Sequence, residues 1–307
     1  MEAPPPVAAS IPLPGVEGRI DHMAVDLARR RLYIAALGNR SLEVVDLDRG
    51  RRVEEIGGWT EPQGICFVPA TDRLFVADGN GEVTVLDGGT LNRLRVVRFS
   101  DDADNVRLDA RTGAIYVGFG GGGLGALDAR NGDSLGVIRL PEHPESFQID
   151  GRLARAYVNL PREGQVAVVD LTRRSVEQPW RIRGAGANFP LALDESGRLL
   201  FAGCRKPPRL LLYDTRTGRL AQSLPLCGDV DDLSFDASRG RLYASCGEGV
   251  LEVFGRRGAG FALLSRVPTA PGARTSLLVP QERRLYVAVP RRGSQQAEIL
   301  VYDLTAR

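Results

Sequence analysis

Side chains that could do chemistry recur at one place in a repeating pattern. Aligned on aspartates that close short apolar strands (Asp26, Asp109, Asp150, Asp194 and Asp236), the position five residues earlier holds Asp21, Gln63, Asp104, Glu145, Phe189, Asp231 and Arg274. The next position holds His22, Gly64, Asn105, Ser146, Pro190, Asp232 and Thr275. Carboxylates brought together repel, so a group of them binds a cation, pairs with arginine or holds on to protons. A hard cation such as Ca²⁺ or Mg²⁺ would suit the oxygens of Asp21, Asp104, Glu145 and Asp231, helped by the Asn105 carbonyl. His22 beside them would bias the site toward Zn²⁺ or act as a general base. The competing reading is that these acids accept backbone N–H groups in tight loops and face a water-filled channel.

Cations stand in a second set of loops. Arg205 and Lys206 lie in Gly203-Cys-Arg-Lys-Pro-Pro208, and Arg291 and Arg292 in Pro290-Arg-Arg-Gly293. With Arg274 they would give a binding mouth one basic and one acidic side, suited to a zwitterionic or carboxylated small ligand. Pairing of Arg205 or Arg291 with Asp231 and Asp232 is the electrostatic alternative. His143, in His143-Pro-Glu-Ser146, is expected to be a solvent-exposed loop residue. No GxSxG elbow and no GxxxxGK[ST] loop is present, and the GxGxxG spacing in Gly118–Gly125 falls between short strands and not before a helix.

The elements that must position these residues follow from a repeat. Aromatic residues at Tyr33, Phe75, Tyr116, Tyr157, Phe201, Tyr243 and Tyr286 are separated by 42, 41, 41, 44, 42 and 43 residues. A later strand of each repeat ends at Asp46, Asp87, Asp128, Asp170, Asp214 and Asp303, with Gly255 in the sixth. Segments such as Val83-Thr-Val-Leu-Asp87 have the β-branched enrichment of strands, and nowhere does helical apolar spacing persist. A period of about 42 residues with four strands is the length of a propeller blade. The spacing predicts an all-β fold, a single seven-bladed β-propeller with four antiparallel strands per blade. Blades one to six supply four strands each and blade seven only three, so Val7–Leu13 is predicted to complete the last blade and close the ring. The expected blades are 15–57, 58–99, 100–140, 141–183, 184–226, 227–267 and 268–307 plus 7–13, after a flexible start at 1–6.

The stretch Arg31-Leu-Tyr-Ile-Ala-Ala-Leu-Gly-Asn-Arg-Ser-Leu-Glu-Val-Val-Asp46 and its six echoes resemble the YVTN-type β-propeller repeat. The column of the repeat's namesake Asn reads Ala36, Asp78, Phe119, Leu160, Cys204, Cys246 and Val289 here, which places the chain nearer the YncE-like bacterial branch. The resemblance implies a seven-bladed ring, export to the periplasm or the cell surface, and a binding function. Lactonases and lyases share such folds, so a metal-dependent lactonase-like hydrolase or lyase is the alternative to a non-catalytic binding or scaffolding role, and catalytic residues stay unassigned.

Composition sets outer limits. The 307 residues are 43% hydrophobic and 25% charged, with a formal net charge of +2, an ordinary globular mixture without an apolar run of membrane length. One of the 40 basic residues, Lys206, is lysine, and the arginines are scattered without an aromatic platform, which argues against nucleic acid as a partner. The expected partner is a small polar ligand or a protein, the expected state a monomer, and the cofactor, if any, a divalent cation: calcium, magnesium or zinc. Met1–Pro6 contains no basic leader or apolar stretch, so both a cytoplasmic start and an exported protein whose leader has been replaced stay open. Cys66, Cys204, Cys227 and Cys246 form no CxxC pair. They read as buried thiols, with a Cys204–Cys227 disulfide as the alternative if the protein is exported.

Overall fold

The computed structural model describes residues 2–305; Met1, Ala306 and Arg307, which the sequence reading places in the flexible start and the last blade, lie outside the described residues. Each repeat folds into antiparallel strands that pair in chain order. The first blade is Met23–Asp26, Arg31–Ala36, Ser41–Asp46 and Arg51–Ile56, and the second is Pro62–Val68, Arg73–Asp78, Glu82–Asp87 and Arg93–Arg98. The third is Ala103–Asp109, Ala114–Phe119, Gly123–Asp128 and Ser134–Arg139. In the fourth, Phe147–Asp150, Arg155–Leu160 and Gln165–Asp170 are followed by an outer strand reduced to Ser175–Val176. Blades five and six begin with the inner strands Gly186–Asp194 and Val230–Asp236. The seventh combines Thr275–Val279, Arg284–Val289 and Glu298–Asp303 with Val7–Pro12 from the N-terminus. The fold is a seven-bladed β-propeller, and no α-helix occurs among the described residues, only 3₁₀ turns at Leu37–Asn39 and Pro280–Glu282.

The chain forms two compact units, one with blades one to four in residues 18–179, the other with blades five to seven and the N-terminal segment. Within each unit, successive blades bury apolar faces against one another. Strands covered on both faces read as continuous apolar runs, as in Arg31–Ala36, where five of six residues are buried. Outer strands such as Arg51–Ile56 are mostly exposed and charged. The repeated aromatics anchor these layers: all seven, from Tyr33 to Tyr286, are buried. In the first unit, Tyr33 packs with Ala35, Ile65 and Val76 across blades one and two. In the second, Phe201, Leu233 and Phe261 join blades five and six.

The strand-closing aspartates serve the turns. Asp46 Oδ1 accepts from the backbone N–H groups of Asp48 and Arg49, Asp170 from Thr172 and Arg173, and Asp303 from Thr305, while Asp26 and Asp150 do the same after inner strands. Gly255 breaks this column because its strand runs on to Arg257 and turns tightly into Gly260. A Cβ at Gly255 would come within 2.3 Å of the Arg241 guanidinium. In the last blade Ile11 faces Ile299 and Pro12 faces Glu298, so the N-terminal strand fills the outer position. Glu2 donates its backbone N–H to the Leu264 carbonyl at 2.8 Å, and its carboxylate pairs with Arg241 and Arg257.

Candidate functional site

In the unit of blades one to four, the loops leading into the inner strands gather Asp21, His22, Asp104, His143 and Glu145. Asp21, only 2% exposed, donates its backbone N–H to the Ala35 carbonyl at 2.8 Å. Its carboxylate lies 2.8 Å from Arg19 Nη2 and 3.6 Å from His22 Nε2. Asp104 is the second residue of the inner strand of blade three, Ala103–Asp109, and Asn105 Nδ2 donates to its Oδ2 at 3.3 Å. The neighbouring inner strand of blade two approaches so closely that a Cβ on Gly64 would sit 1.9 Å from the Asp104 carbonyl oxygen. Glycine at 64 is therefore what lets blade two pass the Asp104 backbone.

Three side chains here can act on one ligand atom. Ligand atoms of Asp104, His143 and Glu145 all lie within 4.8 Å of one another. Glu145 is fixed through its backbone N–H, which donates to the Asn159 carbonyl at 3.1 Å. The His143 side chain is 12% exposed, and its Nδ1 is 3.8 Å from Asp102 Oδ2. Asp102 holds a left-handed backbone, φ 39°, and accepts from Gln63 Nε2 at 2.9 Å. Burial pushes the Asp104 carboxyl up to about 7, with Asp21 adding to the rise and His22 opposing it. Burial also lowers His143, against the pull of Asp102, so its imidazole is neutral at pH 7. Near pH 7 the group thus offers an uncharged imidazole and, in Asp104, a carboxyl balanced between its protonated and ionised forms.

The cationic residues belong to a different cluster, in the unit of blades five to seven. Arg205, at the end of Leu199–Lys206, donates through Nε to the Val230 carbonyl at 2.8 Å, pairs through Nη2 with Asp231, and lies 4.0 Å over the Phe189 ring. Arg274 donates to both oxygens of Asp229 at 3.1 Å and reaches Asp231 Oδ2 at 3.0 Å. Asp232 accepts from the Ser276 backbone N–H at 2.8 Å. The electrostatic alternative is therefore the arrangement found for Arg205: it neutralises acids of its own unit. Arg291 pairs with Glu17 instead of with Asp231 or Asp232.

Of the four carboxylates singled out in the sequence for a cation, Asp104 and Glu145 fall in the three-residue group. Asp21 pairs with Arg19 beside it, and Asp231 is engaged by Arg205 and Arg274. His143, expected to be exposed, lies largely buried, with Asp102, Asp104 and Glu145 near its ring. It stands two residues before the repeated polar column, so alignment of the blades alone does not reveal it. The Cys204–Cys227 pairing is corrected: the disulfide joins Cys227 and Cys246, with Cα atoms 6.0 Å apart, and Cys204 is a free buried thiol pushed up to about 12 by burial. The reason is strand register. Val230 faces Cys246 in blade six, so the loop carrying Cys227 arrives beside Cys246, where Glu252 accepts the Cys227 backbone N–H at 3.0 Å.

No family model and no curated protein sequence matches this chain. Among solved structures it is similar to one described as "Crystal Structure of Mitotic Checkpoint Complex", with a TM-score of 0.81 at 14% identity over 98% of this chain and 92% of that one. It is also similar to the hydrazine synthase of Kuenenia stuttgartiensis, with a TM-score of 0.79 at 15% identity over 90% of this chain and 95% of that one. At such identities the likeness shows the propeller fold and nothing finer.

Proposed function

We propose that the protein is a non-catalytic binding β-propeller whose acidic mouth, in the loops of blades one to four, takes a small polar ligand or a segment of a protein partner that brings a cationic group. The observation that carries this reading is the company of Asp104: a carboxyl held up near 7 by burial and by Asp21, with Asp102 and Glu145 close by and Arg19 already committed to Asp21. Acids grouped in this way, one of them buried, are completed by positive charge from outside. The two structural neighbours, one described as an assembly and one as an enzyme, differ in use, so the reading rests on the mouth and not on the fold.

Membership of the YVTN-type repeat group, in its YncE-like branch, is part of the same proposal and rests on the repeated residues from Arg31 to Asp46 and their echoes. So is residence in the periplasm or outside the cell, which the Cys227–Cys246 disulfide supports. No helix among the described residues is long and apolar enough to cross a membrane.

A thermal-shift screen of amines, amino acids and sugar acids tests the binding role. A cationic ligand is expected to raise the melting temperature of the wild type by several degrees, and Asp21→Asn to abolish most of that rise. A wild-type protein that no member of the screen stabilises would sink the reading.

A further inference from the structure

Two places in the propeller are built on the same plan but end with different charge. Entering blade six, Asp229 has a left-handed backbone, φ 54°, and Asp231 follows two residues later. Entering blade three, Asp102 is likewise left-handed, φ 39°, and Asp104 follows two residues later. At blade six the carboxylates are neutralised by Arg205, four residues after the aromatic of blade five, and by Arg274, in the polar column of blade seven. The corresponding positions around blade three are Gly79, four residues after Phe75, and Glu145, in the polar column of blade four. Both guanidinium groups are missing from the plan there, and one is replaced by a third acid.

The group around Asp104 is more than a cluster of acids. It contains the His143 imidazole, whose Nδ1 is buried without a hydrogen-bond partner. It also borders Asn105, which is 4% exposed, donates through Nδ2 to Asp104, and keeps a buried Oδ1 that no donor satisfies. A buried acceptor and a ring nitrogen without hydrogen-bond partners, beside converging carboxylates, are groups that a cation would satisfy.

We propose that Asp104, His143 and Glu145 bind a divalent first-row metal ion of the Zn²⁺ class, taking the place that Arg205 and Arg274 fill at blade six. One imidazole nitrogen and two carboxylates suit Zn²⁺ better than Ca²⁺, which prefers oxygen ligands only, and three protein ligands leave a coordination position open for water or a ligand atom. Of the four acids expected from the sequence to bind metal, Asp104 and Glu145 belong to this group, while Asp21 and Asp231 are paired with arginines. The inference shares only its location with the binding reading, and the two fail separately.

The test uses the full chain, freed of metal by EDTA and dialysis, titrated with Zn²⁺ and with Ca²⁺ by calorimetry and followed by melting temperature. One equivalent of Zn²⁺ is expected to bind at micromolar or lower concentration and to raise the melting temperature, with Ca²⁺ at least tenfold weaker. His143→Ala and Glu145→Gln should each weaken Zn²⁺ at least tenfold. Because His143 is largely buried, Co²⁺ provides a reading on folded wild-type and E145Q protein: its visible absorption should appear in the first and change in shape in the second. Absence of stoichiometric Zn²⁺ binding, or binding and Co²⁺ spectra unaltered by both substitutions, overturns the proposal. Zn²⁺ binding without a response to any organic ligand would leave this site standing and remove the binding reading; an organic ligand bound by a protein that takes up no Zn²⁺ would do the reverse.

Discussion

Asp104 is the residue on which the candidate site turns, and its chemistry gives a signed prediction. Its folded-state carboxyl titrates near 7, above the ordinary 3.8 of an unfolded chain. Between about pH 4 and 7 the folded protein therefore retains a proton that the unfolded chain has released, so this group's contribution to stability falls as pH rises through that window. With EDTA present, the melting temperature should decline from pH 4 to 7 by more in the wild type than in Asp104→Asn. At pH 8 the variant should be more stable by on the order of 2 kcal/mol, measured by denaturant unfolding. A wild-type profile identical to that of the variant would contradict this account. Gly64 offers a steric counterpart. Because a Cβ there would meet the Asp104 carbonyl at 1.9 Å, and backbone cannot swing aside as a flexible side chain can, Gly64→Ala should cost about 3 kcal/mol and lower the melting temperature accordingly. At this scale the sequence was legible where a residue obeys the repeat: Asp21, Asp104 and Glu145 occupy one column and meet in the loops of one unit. It was not legible for His143 and Asp102, which stand two residues before that column; for Asp231 the pairing with Arg205 was legible as an alternative, and the second partner, Arg274, was not.

Strands and loops were more readable than sites because their signal is repeated seven times while each site residue occurs once. Buried aromatics, aspartates bonded to their own turns and apolar middle strands all follow from local chemistry, and their period located the blades. What local chemistry leaves open is which loop end meets which strand. Cys204, Cys227 and Cys246 are all buried, so burial alone does not choose a pair; Cys227 and Cys246 share an apolar cluster that does not include Cys204, and the register sets Val230 opposite Cys246. Thiol titration of the unfolded, unreduced protein should accordingly find two reactive cysteines, Cys66 and Cys204, and four after reduction. Closing a loop between residues 19 apart in sequence limits the unfolded chain by roughly 3 kcal/mol, so a reductant should lower the unfolding free energy by about that amount and shift the unfolding midpoint down. Cys204→Ala should leave both the disulfide and its reductant sensitivity in place. Four reactive thiols before reduction would refute the pairing.

For the whole molecule the decisive inference is one of counting. Seven repeats with a last blade one strand short required a strand from elsewhere, and Val7–Pro12 supplies it, pairing antiparallel with Glu298–Asp303 with one register shift between Val7 and Ala9. Likeness to solved structures at 14 and 15% identity, over at least 90% of this chain, shows the same fold. The N-terminal strand is itself largely exposed, with Ile11 its one buried side chain, so its contribution comes from covering an edge more than from apolar burial. Without it, Glu298–Asp303 would present a row of unpaired N–H and C=O groups carrying Ile299, Val301 and Tyr302, a template for pairing with other chains. Deleting residues 1–13 should therefore convert the protein into dimers and larger aggregates on size-exclusion chromatography, with a melting temperature well below that of the full chain. A synthetic peptide of residues 2–14 added during refolding should restore the full-length profile by supplying the strand in trans. A deletion variant that stays dispersed and melts like the parent would show that the last blade stands with three strands, and that closure by the N-terminus is not what keeps these edges apart.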